Sequence, residues 1–190
     1  MLYSYMRFLI IITQILGKNM TIISSIISNT ITKLEARQQK HKFELLKNRG
    51  MVWGKNFHMF NSEIDWEYCN LITIGDNVTI SSSRLLTHDA STKKFIGYTK
   101  IGRITIGNNV FIGSGSIILP GVTIGNNVII GAGSVVRTDI PDDSVVTGNP
   151  ATIICSTSEY VKRNETKLTA WKADKLLYET NPLNRIWFDD

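Results

Sequence analysis

Three histidines, His41, His58 and His88, are the side chains of this 190-residue chain best suited to moving a proton near neutral pH. His41 lies in a charged stretch of helical spacing and reads as a solvated face residue. His58, in Asn56-Phe57-His58-Met59-Phe60, fits a structural role or the lining of an acceptor site equally well. His88 differs, because it stands in Leu86-Thr87-His88-Asp89, where a regular apolar pattern breaks off. An imidazole with a pKa of about 6.5 at the mouth of a rigid groove can take a proton from a hydroxyl. The plainer alternative is a histidine that only closes a loop. Asp89 is a candidate to orient His88 or to meet an acceptor, although neighbours on a strand face opposite sides. The two cysteines, Cys69 and Cys155, have neither CxxC spacing nor a metal-site pattern, which favours free thiols in a reducing cytoplasm.

What must position His88 is a repeat. Residues 106–123 read IGNNVFIGSGSIILPGVT and residues 124–141 read IGNNVIIGAGSVVRTDIP. An aliphatic residue returns every sixth position, at Ile106, Ile112, Ile118, Ile124, Ile130 and Val136. Helices repeat their apolar face at about 3.6 residues and half-buried strands at about 2, so a period of six predicts a solenoid with three short strands per turn. Val110, Ser116, Val122, Val128 and Ser134 supply a second inward position, and Gly or Asn turns the corners, where positive φ is tolerated. Coils of this kind stack about 4.8 Å apart and bury one another's cores.

Upstream the pattern continues through Ile74, Gly75, Asn77, Val78 and Ile80, with Leu86 in the next inward slot. From Leu86 to Ile106 is twenty residues, not a multiple of six, so about 88–103 leaves the coil as a loop. Its Lys93, Lys94, Phe95, Tyr98, Lys100 and Arg103 offer cations and aromatic faces suited to a sugar or sugar nucleotide; a loop that merely covers a tunnel is the alternative. Gly148-Asn149-Pro150-Ala151 reads as an irregular exit from the coil.

The expected organisation is a helical flank over 1–50, the coil over 51–155 and a helical tail over 156–190. Within the first flank the apolar run Phe8 to Leu16 is too short to span a bilayer, which takes about 20 apolar residues. It reads as a packed helix or as an interfacial anchor making peripheral contact with the inner face of a membrane. No small-residue cleavage site follows it, which disfavours a signal peptide. Residues 20–48 predict one or two amphipathic helices and Ser158 to Tyr178 another, placed to cover exposed strand edges. The net charge of +5 is spread over the flanks and the loop, which argues against nucleic acid and suits anionic ligands such as phosphorylated cofactors.

The hexads, the Thr87-His88-Asp89 step, Gly113-Ser114-Gly115-Ser116 followed by Leu119-Pro120-Gly121, Gly131-Ala132-Gly133-Ser134-Val135-Val136 and the Gly148-Asn149-Pro150-Ala151 exit together resemble the hexapeptide-repeat acyltransferases. The resemblance is strongest to the branch of galactoside and maltose O-acetyltransferases and the O-acetyltransferases of surface-polysaccharide synthesis, and covers about 51–155. It implies an all-β core, a left-handed parallel β-helix with α-helical N- and C-terminal flanks, against the usual crossover handedness. It also implies a cytoplasmic homotrimer with active sites between subunits, no metal, and acetyl-CoA as co-substrate. The acceptor would be a sugar, sugar nucleotide or lipid-linked glycan. His88 matches the catalytic histidine, with Asp89 beside it, and in a trimer Asp65 or Glu67 could orient it instead. Gly113, Ser114, Gly131 and Ala132 match cofactor-contacting positions, with a backbone N–H near Ser114 as a candidate for the oxyanion.

Two departures concern the cofactor's phosphates. The chain reads Val136-Arg137-Thr138-Asp139 where similar enzymes place the basic residue one position later, and Thr152 stands where a second basic residue is common. Arg137, Lys162 and Arg163 are the candidates to hold the phosphates here, and Thr138 is a further cofactor-binding candidate. The competing readings are an acetyltransferase acting on serine or another amino acid, a zinc-dependent anhydrase on the same coil, which needs three converging histidines, and a catalytically silent scaffold.

Overall fold

The structure is a computed structural model that describes residues 21–171. The apolar run Phe8 to Leu16 and the tail beyond Trp171 lie outside the described residues. The chain divides into two compact units, Met1–Arg49 and Gly50–Asp190. The described part of the first is one uninterrupted helix, Thr21–Asn48, where one or two were expected. Neither Gly nor Pro occurs within it to break the backbone bonding. No described helix is long and apolar enough to cross a membrane.

The second unit is a three-sided coil. In chain order its first turns are β1 (Val52–Trp53), β2 (His58–Phe60), β3 (Glu63–Ile64), then β4 (Ile72–Ile74), β5 (Val78–Ser81) and β6 (Arg84–Leu85). After an excursion, β7 (His88–Asp89) and β8 (Lys100–Ile101), the coil resumes as β9 (Ile104–Ile106), β10 (Val110–Ile112), β11 (Ile117–Ile118), β12 (Thr123–Ile124), β13 (Val128–Ile130) and β14 (Val135–Val136). β15 (Val145–Gly148) and β16 (Ala151–Cys155) follow. Every third strand joins the same face: β1-β4-β9-β12 form face A, β2-β5-β10-β13-β15 face B and β3-β6-β11-β14 face C, all parallel. This is the three-sided parallel solenoid that the six-residue period predicts, the β-helix that the family resemblance implies to be left-handed.

The predicted inward residues fill it. Ile106, Ile112, Ile118, Ile124, Ile130 and Val136 are buried, as are Val110, Ser116, Val122, Val128 and Ser134. Buried serines keep their hydroxyls bonded, as Ser116 Oγ does to Gly131 O at 3.0 Å. At one corner Asn77, Asn109 and Asn127 all adopt φ of 56° and form a side-chain ladder. Asn56 Nδ2 donates to Asn77 Oδ1 (3.0 Å), Asn77 Nδ2 to Asn109 Oδ1 (3.0 Å) and Asn109 Nδ2 to Asn127 Oδ1 (2.9 Å). Gly113 is required for a different reason. A Cβ there would lie 2.7 Å from the backbone N of Ala132 in the next coil, so close stacking and not positive φ excludes a side chain.

One expected inward position moves. Leu85, not Leu86, is fully buried, because the corner Ser81-Ser82-Ser83 is one residue shorter than its counterpart Gly113-Ser114-Gly115-Ser116. Ser82 takes φ of 43° to close that tighter corner. Burial then alternates through Ser83, Leu85 and Thr87. The expected irregular exit is also more ordered than predicted. β15 adds a parallel strand to face B, and β16 returns antiparallel across the Gly148-Asn149-Pro150-Ala151 turn, which holds a cis Asn149-Pro150 bond. Helix Thr157–Trp171 follows, its start tied to the coil by Ser158 N and Oγ donating to Asp143 Oδ1 at 3.0 and 2.7 Å.

A candidate active site at the edge of the coil

His88 sits where face C ends and the excursion begins. β7 pairs antiparallel with β8, His88 opposite Ile101 and Asp89 opposite Lys100, so the loop leaves and returns as a narrow ribbon. Gly102 N donates to Thr87 O at 2.8 Å and closes its base. Between the strands a short helical turn, Lys93–Ile96, ends on Gly97 at φ 78°, and Lys93, Lys94, Phe95, Tyr98, Lys100 and Arg103 are all exposed.

Beneath His88 lies Asp65. β3 pairs with β6 in the register Ile64 to Leu85, and Asp65 N donates to Leu85 O at 3.0 Å, which brings the Asp65 side chain up against Thr87 and His88. Its Oδ2 accepts from Thr87 Oγ1 (2.8 Å) and Thr87 N (3.2 Å), and it pairs with His88 Nδ1. Burial pushes the Asp65 carboxyl up, but the bonds from His88 and Thr87 outweigh it and hold the group below the usual carboxylate range. An ionised carboxylate at Nδ1 requires the proton on that nitrogen, which leaves Nε2 with its lone pair. The Asp65 side chain is 5% exposed and the imidazole 40%, so the carboxylate is sequestered while the ring remains open to a solute. The Tyr68 ring stands 5.6 Å from the imidazole, tilted by 57°.

Asp89 does not orient His88. Its Oδ1 accepts from Ser91 N at 2.8 Å, and that bond, aided by Lys100 and His88, holds its carboxyl below the usual range. The alternation along β7 turns it to the opposite side. The carboxylate bonded to His88 Nδ1 is Asp65 of the same chain, one of the two residues, with Glu67, that the sequence offered as an orienting group in a trimer. The sequence gives no direct signal for the pairing: Asp65 and His88 meet through a register that spans the irregular 3-10 turn Cys69–Leu71.

The remaining candidates lie elsewhere on the coil. Ser114 and Ala132 are exposed and stacked on adjacent coils at the corner between faces B and C, with Gly133 N donating to Ser114 O at 2.8 Å. Gly113 is buried there, and Gly131 lies half-buried one coil above it. Arg137 and Thr138 are exposed at the corner between faces C and A, the corner from which the excursion carrying His88 departs. Lys162 is exposed on the terminal helix, and Arg163 is paired with Glu159 at 3.5 Å. Within one chain, then, His88 shares a corner with Arg137 and Thr138, while Ser114 and Ala132 occupy the far edge of face C.

A sequence profile described as bacterial transferase hexapeptide (six repeats) matches residues 103–138. The crystal structure of a maltose O-acetyltransferase from Clostridium difficile 630 is 34% identical, with a TM-score of 0.50, covering 62% of this chain and 75% of that one. The chain belongs to the hexapeptide-repeat transferases. It is also similar to protein CapG of Staphylococcus aureus, 54% identical over 103 residues, which are 52% of this chain and 58% of CapG. A hexapeptide-repeat acetyltransferase of Vibrio cholerae, solved in complex with acetyl coenzyme A, is 28% identical with a TM-score of 0.51, covering 63% of this chain and 78% of that one. The chain spans about half the length of the curated relatives it matches.

Proposed function

We propose that this protein is an O-acetyltransferase that moves an acetyl group from acetyl-CoA to a hydroxyl of a sugar or glycan precursor of surface polysaccharide, with His88 as general base. The observation that carries the reading is the Asp65–His88 pair, a sequestered carboxylate holding an accessible imidazole with Nε2 as the proton acceptor. Nε2 takes the acceptor's hydroxyl proton as the oxygen attacks the thioester carbonyl. The tetrahedral intermediate collapses with cleavage of the C–S bond, and the imidazolium returns its proton to the leaving thiolate. The products are the O-acetyl ester and free CoA, with no covalent enzyme intermediate. Asp65 stabilises the positive charge that His88 carries between the two steps.

On the donor side, Ser114 and Ala132 present small exposed side chains in register, which suits an extended pantetheine arm. From that corner to the corner of His88 is the width of face C, up to about 20 Å for six extended residues. A His88 supplied by a second copy at that corner would shorten this path, an arrangement that sites between the subunits of a homotrimer would provide. The loop's exposed Phe95 and Tyr98, beside Lys93, Lys94 and Lys100, suit a sugar, sugar nucleotide or lipid-linked glycan.

The test is release of free CoA from acetyl-CoA with a panel of sugars, sugar nucleotides, glycans and amino acids as acceptors. His88→Ala should abolish turnover while the circular dichroism of the coil is retained. Near-wild-type activity in that variant would remove His88 from the mechanism, and serine as the best acceptor would overturn the glycan reading.

A further inference from the structure

We infer that Thr87 is a positioning residue for the proposed base: its hydroxyl holds Asp65 where that carboxylate keeps the proton of His88 on Nδ1. The inference rests on the reading of His88 as the base, but its test does not depend on turnover.

Thr87 is fully buried. The register of face C places it level with Pro120 of the next coil, an apolar residue in the same buried slot. A hydroxyl in such a slot is costly unless it is bonded, and the partner of Thr87 Oγ1 is Asp65 Oδ2 at 2.8 Å. The second link between these residues, from Thr87 N, is 3.2 Å, at the long end of the hydrogen-bond range. The hydroxyl is thus the shorter of the two bonds tying the carboxylate to the coil above. All three donors, Thr87 N, Thr87 Oγ1 and His88 Nδ1, converge on one oxygen. With the hydroxyl gone, Oδ2 keeps one long backbone bond and the imidazole itself, and a carboxylate so held can turn about its side-chain torsions. Nδ1 then loses its fixed acceptor and the ring divides between its two neutral tautomers. Thr87 O also accepts from Gly102 N, where the excursion rejoins the coil. One residue therefore joins the lower coil's carboxylate, the strand that carries the imidazole and the base of the loop.

Thr87→Val preserves the branched shape and deletes the hydroxyl, while Thr87→Ser keeps the hydroxyl and deletes the methyl. In full-length protein labelled with 15N-histidine, the resonances of His88 are assigned by their loss in His88→Ala, and the tautomer is read from its ring nitrogens at a pH where the ring is neutral. The expected result is a single Nδ1–H tautomer in the parent and in Thr87→Ser, and a mixture in Thr87→Val. In the CoA-release assay Thr87→Val should lose about tenfold in kcat with the KM for acetyl-CoA unchanged, and Thr87→Ser should restore most of it. A Thr87→Val protein that keeps the single Nδ1–H tautomer overturns the inference whatever its rate. A tautomer that shifts while turnover does not would support the positioning role and remove His88 as the base.

Discussion

Substituting Asp65 tests how much the proposed base depends on its buried partner. Asp65→Asn can leave an amide oxygen at the Oδ2 position, so the acceptor for His88 Nδ1 survives and only the charge is lost. A hydrogen bond to a charged group contributes about 1.5–3 kcal/mol and a neutral one about 1 kcal/mol, a difference of roughly 0.5–2 kcal/mol centred on about 1.3 kcal/mol. Felt by the imidazolium that forms as the hydroxyl oxygen attacks, that difference corresponds to a loss of about tenfold in kcat. Asp65→Ala removes the acceptor and leaves the donors of Thr87 without their partner, and the expected loss rises to about a hundredfold. In a serine-protease triad the equivalent charge-removing change costs about 10⁴-fold. The smaller figure expected here follows from the 40% exposure of the His88 side chain, since water can take over part of what the carboxylate supplies. The assay is CoA release at saturating acetyl-CoA with the best acceptor from the panel, both variants run beside His88→Ala. An Asp65→Ala enzyme within threefold of the parent, with His88→Ala inactive, would refute the claim that Asp65 prepares the base.

The depressed carboxyl of Asp65 also predicts how stability changes with acid. A carboxyl whose folded pKa lies below its unfolded value of about 3.9 contributes stability that is fully present above that value and is lost as pH falls through the folded pKa. The stability difference between the parent and Asp65→Asn should therefore shrink as pH falls below about 4 in urea titrations; a difference that does not shrink there would show that the ionised carboxylate adds nothing to the fold. Gly113→Ala should lower stability by about 1–3 kcal/mol, because the added Cβ meets the Ala132 backbone and no flexible side chain can yield. Thermal melting checks this, and an unchanged Tm would show that the stacked corner can open without cost.

The six-residue period made the coil legible, because each inward aliphatic residue repeats at the same position in every hexad and stacks on its own kind. Legibility failed where the period changed length. Leu86 was the expected core residue and Leu85 is the actual one, since a single residue missing from the Ser81–Ser83 corner moves the following strand by one position. A one-residue shift reverses which face each side chain occupies, so Thr87 enters the core beside Leu85. The break in the pattern did mark His88, because a loop must leave the coil there. Asp65 stayed hidden for a different reason. The first coil meets the second with an offset of 21 residues, as from Ile64 to Leu85, against 18 between the two regular hexad coils, as from Ile112 to Ile130. The extra residues lie in the irregular segment around Cys69–Leu71, whose length no hexad announces.

The asparagine ladder has a direction and a built-in terminus. Each amide accepts from the coil below and donates to the coil above, like identical plugs joined end to end, and any further Asn could extend the chain. At this corner the position above Asn127 is held by Asp143, also left-handed at φ 53°. A carboxylate accepts but has nothing to donate, so no further rung can be built on it by the same bond. It accepts instead from the backbone of Ser158, where the terminal helix starts. Exchanging one nitrogen for one oxygen at this corner marks, in side-chain chemistry, where the ladder stops and the terminal helix is tied on.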